Sequence, residues 1–202
     1  MPINPLLDLA TAISGCRICD KEGIALDHAP PLRRGEGGDF MVVGVAPGKT
    51  EVANAEAFVG PAGKRLMMWL TEAGVGDSRE AILARCYLTS VIKCRLHDDR
   101  NFHSAARNCL PFFTQQVALV RPKVCITLGL LPLKVLMGFD GDLSNAVGTV
   151  RRAGDISLSP VLPPETLIVP FPHPSPVSRW LNNSENLKRL TAAKDALRGL
   201  AS

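Results

Sequence analysis

The sequence predicts an α/β fold: a three-layer α/β/α sandwich around a central, mainly parallel sheet of four strands. Short, continuously apolar runs, such as 39–44 and 123–128, are typical of strands that are buried on both faces. Segments with apolar residues three or four positions apart lie between these runs and indicate helices. Strands that alternate with helices form parallel sheets through crossover connections. We therefore treat the 202 residues, 1–202, as one domain.

Each element has its own local signal. Apolar spacing, a capping residue or a terminal glycine predicts helices over 5–14, 64–74, 104–120 and 183–200. A further helix is predicted to run from the end of the third strand, at 128, to 137. Ser104 and Ser184 are the expected N-caps of the helices 104–120 and 183–200. Apolar runs predict strands over 39–44, 86–92, 123–128 and 166–171, with 147–152 as a candidate hairpin edge. Glycine and proline predict a loop over 20–38 and a tight turn after the first strand.

Composition limits the class of protein. A net charge of +4 and a pI near 8.8 permit nucleic-acid binding without demonstrating it. No apolar run is long enough for a membrane span, and the first residues lack the pattern of a signal peptide. We expect a cytoplasmic, bacterial-type monomer with reduced thiols, in which Cys86 and Cys125 are buried core residues because they lie inside apolar strands.

Four other cysteines form two distant groups. Cys16 and Cys19 are spaced C-x2-C, and Cys94 and Cys109 are spaced C-x14-C within a segment rich in Lys, Arg and His. Two such groups that meet on folding can hold zinc or a [4Fe–4S] cluster, and the spacing does not separate these two. A metal site beside a basic loop favours a protein that binds a polyanion.

The loops that follow the strands are the candidate binding segments, because ligands of open α/β sheets bind beyond the carboxyl ends of the strands. The turn G-V-A-P-G-K-T after the first strand either brings backbone amides to a ligand or is a plain connection. Phe58, in a glycine-rich loop, either stacks on a base or fills the core. His173, between two prolines at a strand end, is either a general acid or electrophile or a turn residue bonded to backbone. The tip with Arg179 and Trp180 either wedges into a duplex or begins the next helix.

Taken together, these motifs resemble the uracil-DNA glycosylase superfamily, most closely its iron–sulfur branch, family four. The matching segments are C-R-I-C (16–19), G-V-A-P-G-K-T-E (44–51), A-F-V-G-P-A-G (57–63), Y-L-T-S-V-I-K-C-R (87–95), C-L-P (109–111) and H-P-S-P (173–176).

The resemblance implies a DNA repair enzyme that flips out uracil, and other deaminated or damaged bases, and hydrolyses the N-glycosidic bond to leave an abasic site. It implies a [4Fe–4S] cluster on Cys16, Cys19, Cys94 and Cys109, with zinc as the alternative, and DNA as the partner. It implies His173 as the catalytic residue. The base-binding set that it implies is Gly44, Val45, Ala46, Pro47, Gly48, Phe58 and Ser90, and the DNA-binding set is Lys49, Ser175, Arg179 and Trp180.

Two positions depart from the family four pattern. That branch carries Glu, which positions or activates water, where this chain has Val45. It carries Asn, which reads the uracil edge through two hydrogen bonds, where this chain has Ser90. Glu51 is the nearest acidic candidate for the water. These departures predict relaxed base selectivity, and they leave two rivals: a non-catalytic protein that binds lesions or abasic sites, and a zinc-stapled nucleotide hydrolase.

Overall fold

The structure of the protein is a computed structural model that describes residues 4–30, 32, 34–156 and 161–202. Within these ranges the chain forms a central sheet with helices on both faces. The predicted α/β/α sandwich is therefore confirmed. Among the described residues, no helix combines the length and the apolar character that crossing a membrane requires.

The strands of the described ranges fall into a large central sheet and a small two-stranded sheet. They are β1 (Leu26–Asp27), β2 (Phe40–Gly44), β3 (Cys86–Ser90), β4 (Arg95–Leu96), β5 (Val124–Leu128), β6 (Arg151–Arg152) and β7 (Leu167–Phe171). The central sheet has the order β3-β2-β5-β7-β6, and β1 pairs with β4. The four predicted strands are parallel to one another, and β6, which lies within the predicted hairpin edge 147–152, adds an antiparallel edge strand, so the sheet has five strands where four were predicted.

The register of the sheet aligns the ends of its strands. Gly44, the last residue of β2, pairs with Ser90, the last residue of β3. Leu128 of β5 pairs with Phe171 of β7. The segments that follow these residues therefore leave the sheet side by side, which is the arrangement that gathers loop residues into one site.

The helices cover both faces of the sheet. They are α1 (Pro5–Ser14), α2 (Ile18–Lys21), α3 (Lys49–Asn54), α4 (Pro61–Glu72), α5 (Arg79–Arg85), α6 (Phe102–Val120), α7 (Leu130–Met137) and α8 (Ser184–Ala201). Both predicted N-caps were wrong. Ser104 lies inside α6, which begins after Asn101, and α8 is capped by Asn183, whose side chain accepts from the amides of the second and third helical residues.

The core lies on both faces of the sheet because successive strand residues point to opposite sides. Phe40 and Val42 belong to one apolar cluster, and Met41 and Val43 to the other. Cys86 and Cys125 are fully buried, as predicted, and burial raises the pKa of each thiol to about 12.

The predicted loop 20–38, in which positions 31 and 33 lie outside the described residues, contains the end of α2 and the short strand β1. Its strand pairs with β4, which follows directly after Cys94. The pair β1–β4 therefore joins the two segments of chain that carry the distant cysteine groups.

Candidate active site

A cavity of about 150 Å³ lies at the carboxyl ends of β2 and β3, beside the segment that follows β7. It contains every residue that the sequence assigned to base binding, together with His173. Its lining consists of Leu32, Arg34, Gly44, Val45, Ala46, Pro47, Gly48, Glu51, Ala57, Phe58, Ala62, Thr89, Ser90 and His173. Side chains separated by more than 120 positions in sequence therefore share one small site.

Phe58 lies directly over the end of β2. A methyl group placed on Gly44 would lie 2.9 Å from Cζ of Phe58, so the ring packs against a position that only glycine leaves open. The backbone of Phe58 is left-handed, with φ of 54°, a conformation that costs a non-glycine residue about 1–2 kcal/mol. A strained aromatic residue at a cavity wall indicates a functional constraint rather than a core-filling role alone.

Arg79 of α5 holds the backbone of the loop that carries Phe58. Its guanidinium donates to the carbonyl of Phe58 at 3.0 Å and to that of Ala57 at 2.7 Å, and it pairs with Glu56 at 2.8 Å. The bidentate fork of arginine suits such a double contact. Arg79 was missed in the sequence analysis because nothing in its local pattern links α5 to a loop some twenty residues earlier.

Glu51 joins the two glycine-rich segments of the cavity. One carboxylate oxygen accepts from the amide of Gly48 at 3.1 Å, and the other accepts from the amide of Gly60 at 2.8 Å. Both oxygens are therefore engaged in fixing the turn after β2 against the start of α4. The geometry makes Glu51 a loop clamp, whereas the sequence had suggested it as the group nearest to the water.

Ser90 is buried at the end of β3, and the direction of its hydroxyl is fixed. Its Oγ donates to the carbonyl of Ile92 at 2.6 Å. A hydroxyl has one proton and two lone pairs. With the proton on the Ile92 carbonyl, Ser90 has only acceptor capacity left for a ligand in the cavity.

His173 has a defined tautomer. Its Nδ1 accepts from the amide of Ser175 at 3.2 Å, which places the proton of the neutral ring on Nε2. The residue as a whole is exposed to solvent, but partial desolvation of its ring lowers the pKa of His173 below 6.5. Prolines on both sides, Pro172 and Pro174, restrict the backbone. The ring is therefore a neutral, oriented hydrogen-bond donor at the cavity wall.

Two further residues position the segment that carries His173. Arg65 of α4 donates to the carbonyl of Ser175 at 3.0 Å. Gly129, at the end of β5, has φ of 86°, and a methyl group there would lie 3.3 Å from Cβ of His173. Neither residue belongs to a motif that the sequence analysis singled out.

The candidate DNA-contact residues differ in their surroundings. Lys49 begins α3 and is exposed beside the turn, and Arg179 is also exposed. Trp180 is instead half-buried: its indole donates to Oγ of Ser144 at 3.0 Å, and its ring packs against the core. The exposed apolar residue of this tip is Val177, which is 86% exposed. The tip therefore presents Val177, and not Trp180, as its projecting apolar side chain.

The four predicted cysteine ligands lie around a second, smaller pocket. Cys16, Cys19, Cys94 and Cys109 line it together with His28 and Asn108. N–H donors approach the sulfurs: the amide of Lys93 reaches Sγ of Cys109 at 3.4 Å, the Asn108 side chain reaches Sγ of Cys19 at 3.6 Å, and the backbone of Ala29 bonds to Cys94. Among the described residues, no group of three or more His, Cys, Asp or Glu side chains is arranged as a single-ion site.

The basic segment between Cys94 and Cys109 is less cationic than its composition suggests. Arg95 and His97 both bond to Asp27, at 2.5 and 2.7 Å, and their hydrogen bonds, His97 first, hold the pKa of Asp27 below its usual value. Arg100 pairs with Asp98. Much of the positive charge of this segment is therefore paired with the carboxylates of Asp27 and Asp98, an arrangement that a count of positive residues does not reveal.

Comparison with known proteins places the chain in a family. A model of the "Uracil DNA glycosylase superfamily" matches residues 35–198. Among curated proteins, the chain is 35% identical over 114 residues to the type-4 uracil-DNA glycosylase of Pyrobaculum aerophilum, and this alignment covers 55% of the chain and 54% of the relative. It is 33% identical over 128 residues to the protein of that name from Archaeoglobus fulgidus, with 63% of the chain and 61% of the relative aligned. It is 30% identical over 177 residues to the protein of that name from Sulfurisphaera tokodaii, with 86% of the chain and 76% of the relative aligned. The match thus spans little more than half the length of the first two relatives.

Proposed function

Because the chain belongs to the uracil-DNA glycosylase superfamily, we propose that it flips uracil out of DNA, and accepts other deaminated bases, and hydrolyses the bond between the base and its sugar. The observation that carries the proposal is the pairing of a tautomer-fixed His173 with a strained Phe58 in the wall of one cavity.

The reaction breaks the C1′–N bond of the nucleotide, and its electron pair leaves with the base. Water adds to the resulting oxocarbenium carbon and gives up a proton to solvent. Donors aimed at the charge that develops on the base lower the barrier, and such groups contribute roughly 10²–10³-fold in rate. His173 is suited to this work because its Nε2–H is a donor and its ring is neutral. Donation to a carbonyl oxygen of the base stabilises the departing anion.

Phe58 provides the surface on which the flipped base stacks. Base–aromatic stacking contributes about 1–3 kcal/mol per base. The ring is fixed over Gly44 and by the bonds from Arg79 to its loop, so little ordering remains to be done when a base enters. Preorganisation of this kind reduces the cost of binding.

Water activation in this chain does not depend on a carboxylate at position 45. Val45 has no titratable group, and both oxygens of Glu51 bind loop amides. A reaction in which the base departs before water attacks needs little activation of the nucleophile. We therefore assign the rate enhancement to stabilisation of the leaving base.

DNA contact is assigned to the exposed rim. Lys49 and Arg179 are exposed cations suited to phosphates, and Ser175 lies beside His173. Val177 projects from the same segment and is suited to fill the gap that a flipped base leaves in the duplex.

The four cysteines are assigned to one [4Fe–4S] cluster. Their placement around one pocket, with N–H groups directed at three of the sulfurs, suits thiolate ligation. Cys16 and Cys19 after α1, Cys94 before β4 and Cys109 in α6 would hold the cluster, which would cross-link these three segments. Purified protein is expected to be brown with about four irons per chain. A colourless protein with one zinc would contradict the cluster and retain the cysteine site.

The function is tested by excision. A labelled duplex with one uracil, and an identical duplex with thymine at that position, are incubated with the protein and then treated with alkali to cleave abasic sites. We expect cleavage of the uracil strand alone. Binding of both an abasic duplex and the uracil duplex without any cleavage would instead support the rival, a non-catalytic lesion-binding protein. The presence of Val45 and Ser90 where family four carries Glu and Asn favours that rival.

A further inference from the structure

Arg34 is a buried cation in the wall of the base-binding cavity. Only 7% of the residue is exposed. Its Nη1 makes two long contacts of 3.4 Å, to the Leu88 carbonyl and to Oγ1 of Thr89, and its Nε has no hydrogen-bond partner. No carboxylate of the described ranges forms an ion pair with it. Buried charges are normally paired, so a guanidinium left unpaired at a cavity wall indicates that the partner arrives with a ligand.

A second buried basic side chain lies behind the same wall. Lys93 is 1% exposed, and its amino group donates to the Ser90 carbonyl, to Oε1 of Gln116 at 2.7 Å and to Oγ1 of Thr89 at 3.2 Å. Thr89 in turn donates its own proton to Gln116 at 2.9 Å. Burial, and the charge of Arg34 after it, lower the pKa of Lys93 well below its usual value. The permanent charge on this side of the cavity is therefore that of Arg34, which suits a site for a developing anion.

The residue beside this electropositive wall offers the opposite hydrogen-bonding character. Ser90 has its hydroxyl proton on the Ile92 carbonyl and can only accept. Both Arg34 and Ser90 line the cavity, and Thr89, which Arg34 contacts, is the neighbour of Ser90 in β3. A donor and an acceptor therefore line the same cavity.

We propose that Arg34 and Ser90 together read the lactam edge of the flipped base, with the guanidinium donating to a carbonyl oxygen and Oγ of Ser90 accepting from the neighbouring ring N–H. This inference rests on the proposed function and specifies its substrate class. Uracil and hypoxanthine present a carbonyl beside a ring N–H. Cytosine presents an amino group beside a bare ring nitrogen, so donor would face donor and acceptor would face acceptor, and unpaired polar groups of this kind reject a ligand strongly.

Arg34 also acts on the chemical step. When the C1′–N bond breaks, its electron pair enters the base ring and spreads onto the carbonyl oxygens, while water adds to C1′ and loses a proton to solvent. A guanidinium bonded to one of those oxygens stabilises the charge more in the transition state than in the bound substrate. Such an interaction raises the rate constant and not only the affinity.

The test compares Arg34→Met with a matched control, Arg85→Met. Arg85 is a half-buried arginine that donates to two backbone carbonyls, those of Val75 and Ala201, but it does not line the cavity. Single-turnover excision is measured on duplexes with uracil and with 5-fluorouracil, whose more acidic ring nitrogen makes it a better leaving group. Melting temperatures are recorded for both variants, and Arg34→Lys, which retains the charge, serves as a second variant if Arg34→Met does not fold.

We expect Arg34→Met to lose about 100-fold on uracil but only about tenfold on 5-fluorouracil, because a better leaving group needs less stabilisation. Arg34→Lys should show the same inequality on a smaller scale, and Arg85→Met should change both rates equally or not at all. Equal losses on the two bases in the Arg34 variants would overturn the inference and leave the proposed function intact. A wild-type chain that excises neither base would overturn the proposed function and, with it, this inference.

Discussion

Replacing Gly44 with alanine tests whether the ring of Phe58 is fixed in the cavity. The new methyl group would lie 2.9 Å from Cζ of Phe58, whereas ordinary contact begins at 3.4 Å, so the ring must move by about 0.5 Å (3.4 minus 2.9). It has little freedom to do so, because its backbone is left-handed and its carbonyl accepts from Arg79. Since a misplacement of about 1 Å costs on the order of 100-fold in rate, we expect roughly tenfold slower excision of uracil.

The measurement is a single-turnover excision assay combined with thermal unfolding followed by circular dichroism. Overpacking of this kind destabilises a protein by about 1–3 kcal/mol. Gly199→Ala is the matched control, since a methyl group there meets nothing within 4 Å and lies in helix α8. It should leave excision unchanged and stabilise the fold by about 0.5–1 kcal/mol. An alanine at position 44 that lowers the melting temperature but excises uracil at the wild-type rate would refute the assignment of Phe58 as the stacking surface.

Three further predictions concern the segment after β7. Arg65→Met removes the donor to the Ser175 carbonyl and should slow uracil excision about tenfold without changing affinity for abasic DNA, a result that an equal loss in affinity would contradict. Val177→Ala should weaken activity on a uracil duplex several-fold more than on the same single strand, and equal effects on both would exclude a wedge. Because desolvation lowers the pKa of His173, its neutral form persists below pH 6.5, so excision should stay constant from pH 8 to about 6.5 and fall only at lower pH; a rate that rises on acidification would indicate a protonated ring instead. The free energy of unfolding should depend on pH in the same direction. The unfolded chain binds the proton of His173 more readily than the folded chain does, so the contribution of His173 to this free energy is complete above pH 6.5 and is lost as the pH falls towards the lower folded-state pKa.

The sheet could be predicted from sequence where its strands are long and buried. The strands β2, β3, β5 and β7 are continuous apolar runs, and each predicted bound lies within two residues of the observed one. The fifth strand, β6, lies within the predicted hairpin edge 147–152, but its bounds could not be predicted because its two exposed arginines form no apolar pattern. Helix α3 was missed for a similar reason: none of its residues is buried, and its start is fixed by the side chain of Glu51.

The candidate site could be predicted where a residue lies at the end of a strand within a motif. Gly44, Ser90 and His173 are of this kind, and parallel register brings their strand ends together. The supporting arginines could not be predicted, because their contacts are distant in sequence. Arg65 bonds to Ser175 across 110 positions, and Arg34 contacts Thr89 across 55. No local periodicity or motif reports such a contact, and a charged residue in a helix or loop is ordinarily assigned to the surface.

The most direct test of the active site compares wild type with His173→Ala on a uracil duplex under single-turnover conditions, with affinity for the abasic product measured in parallel. If His173 stabilises the departing base through its Nε2–H, the variant should excise uracil about 10²–10³-fold more slowly and bind abasic DNA as wild type does. An unchanged excision rate would contradict the assignment of this cavity as the catalytic centre.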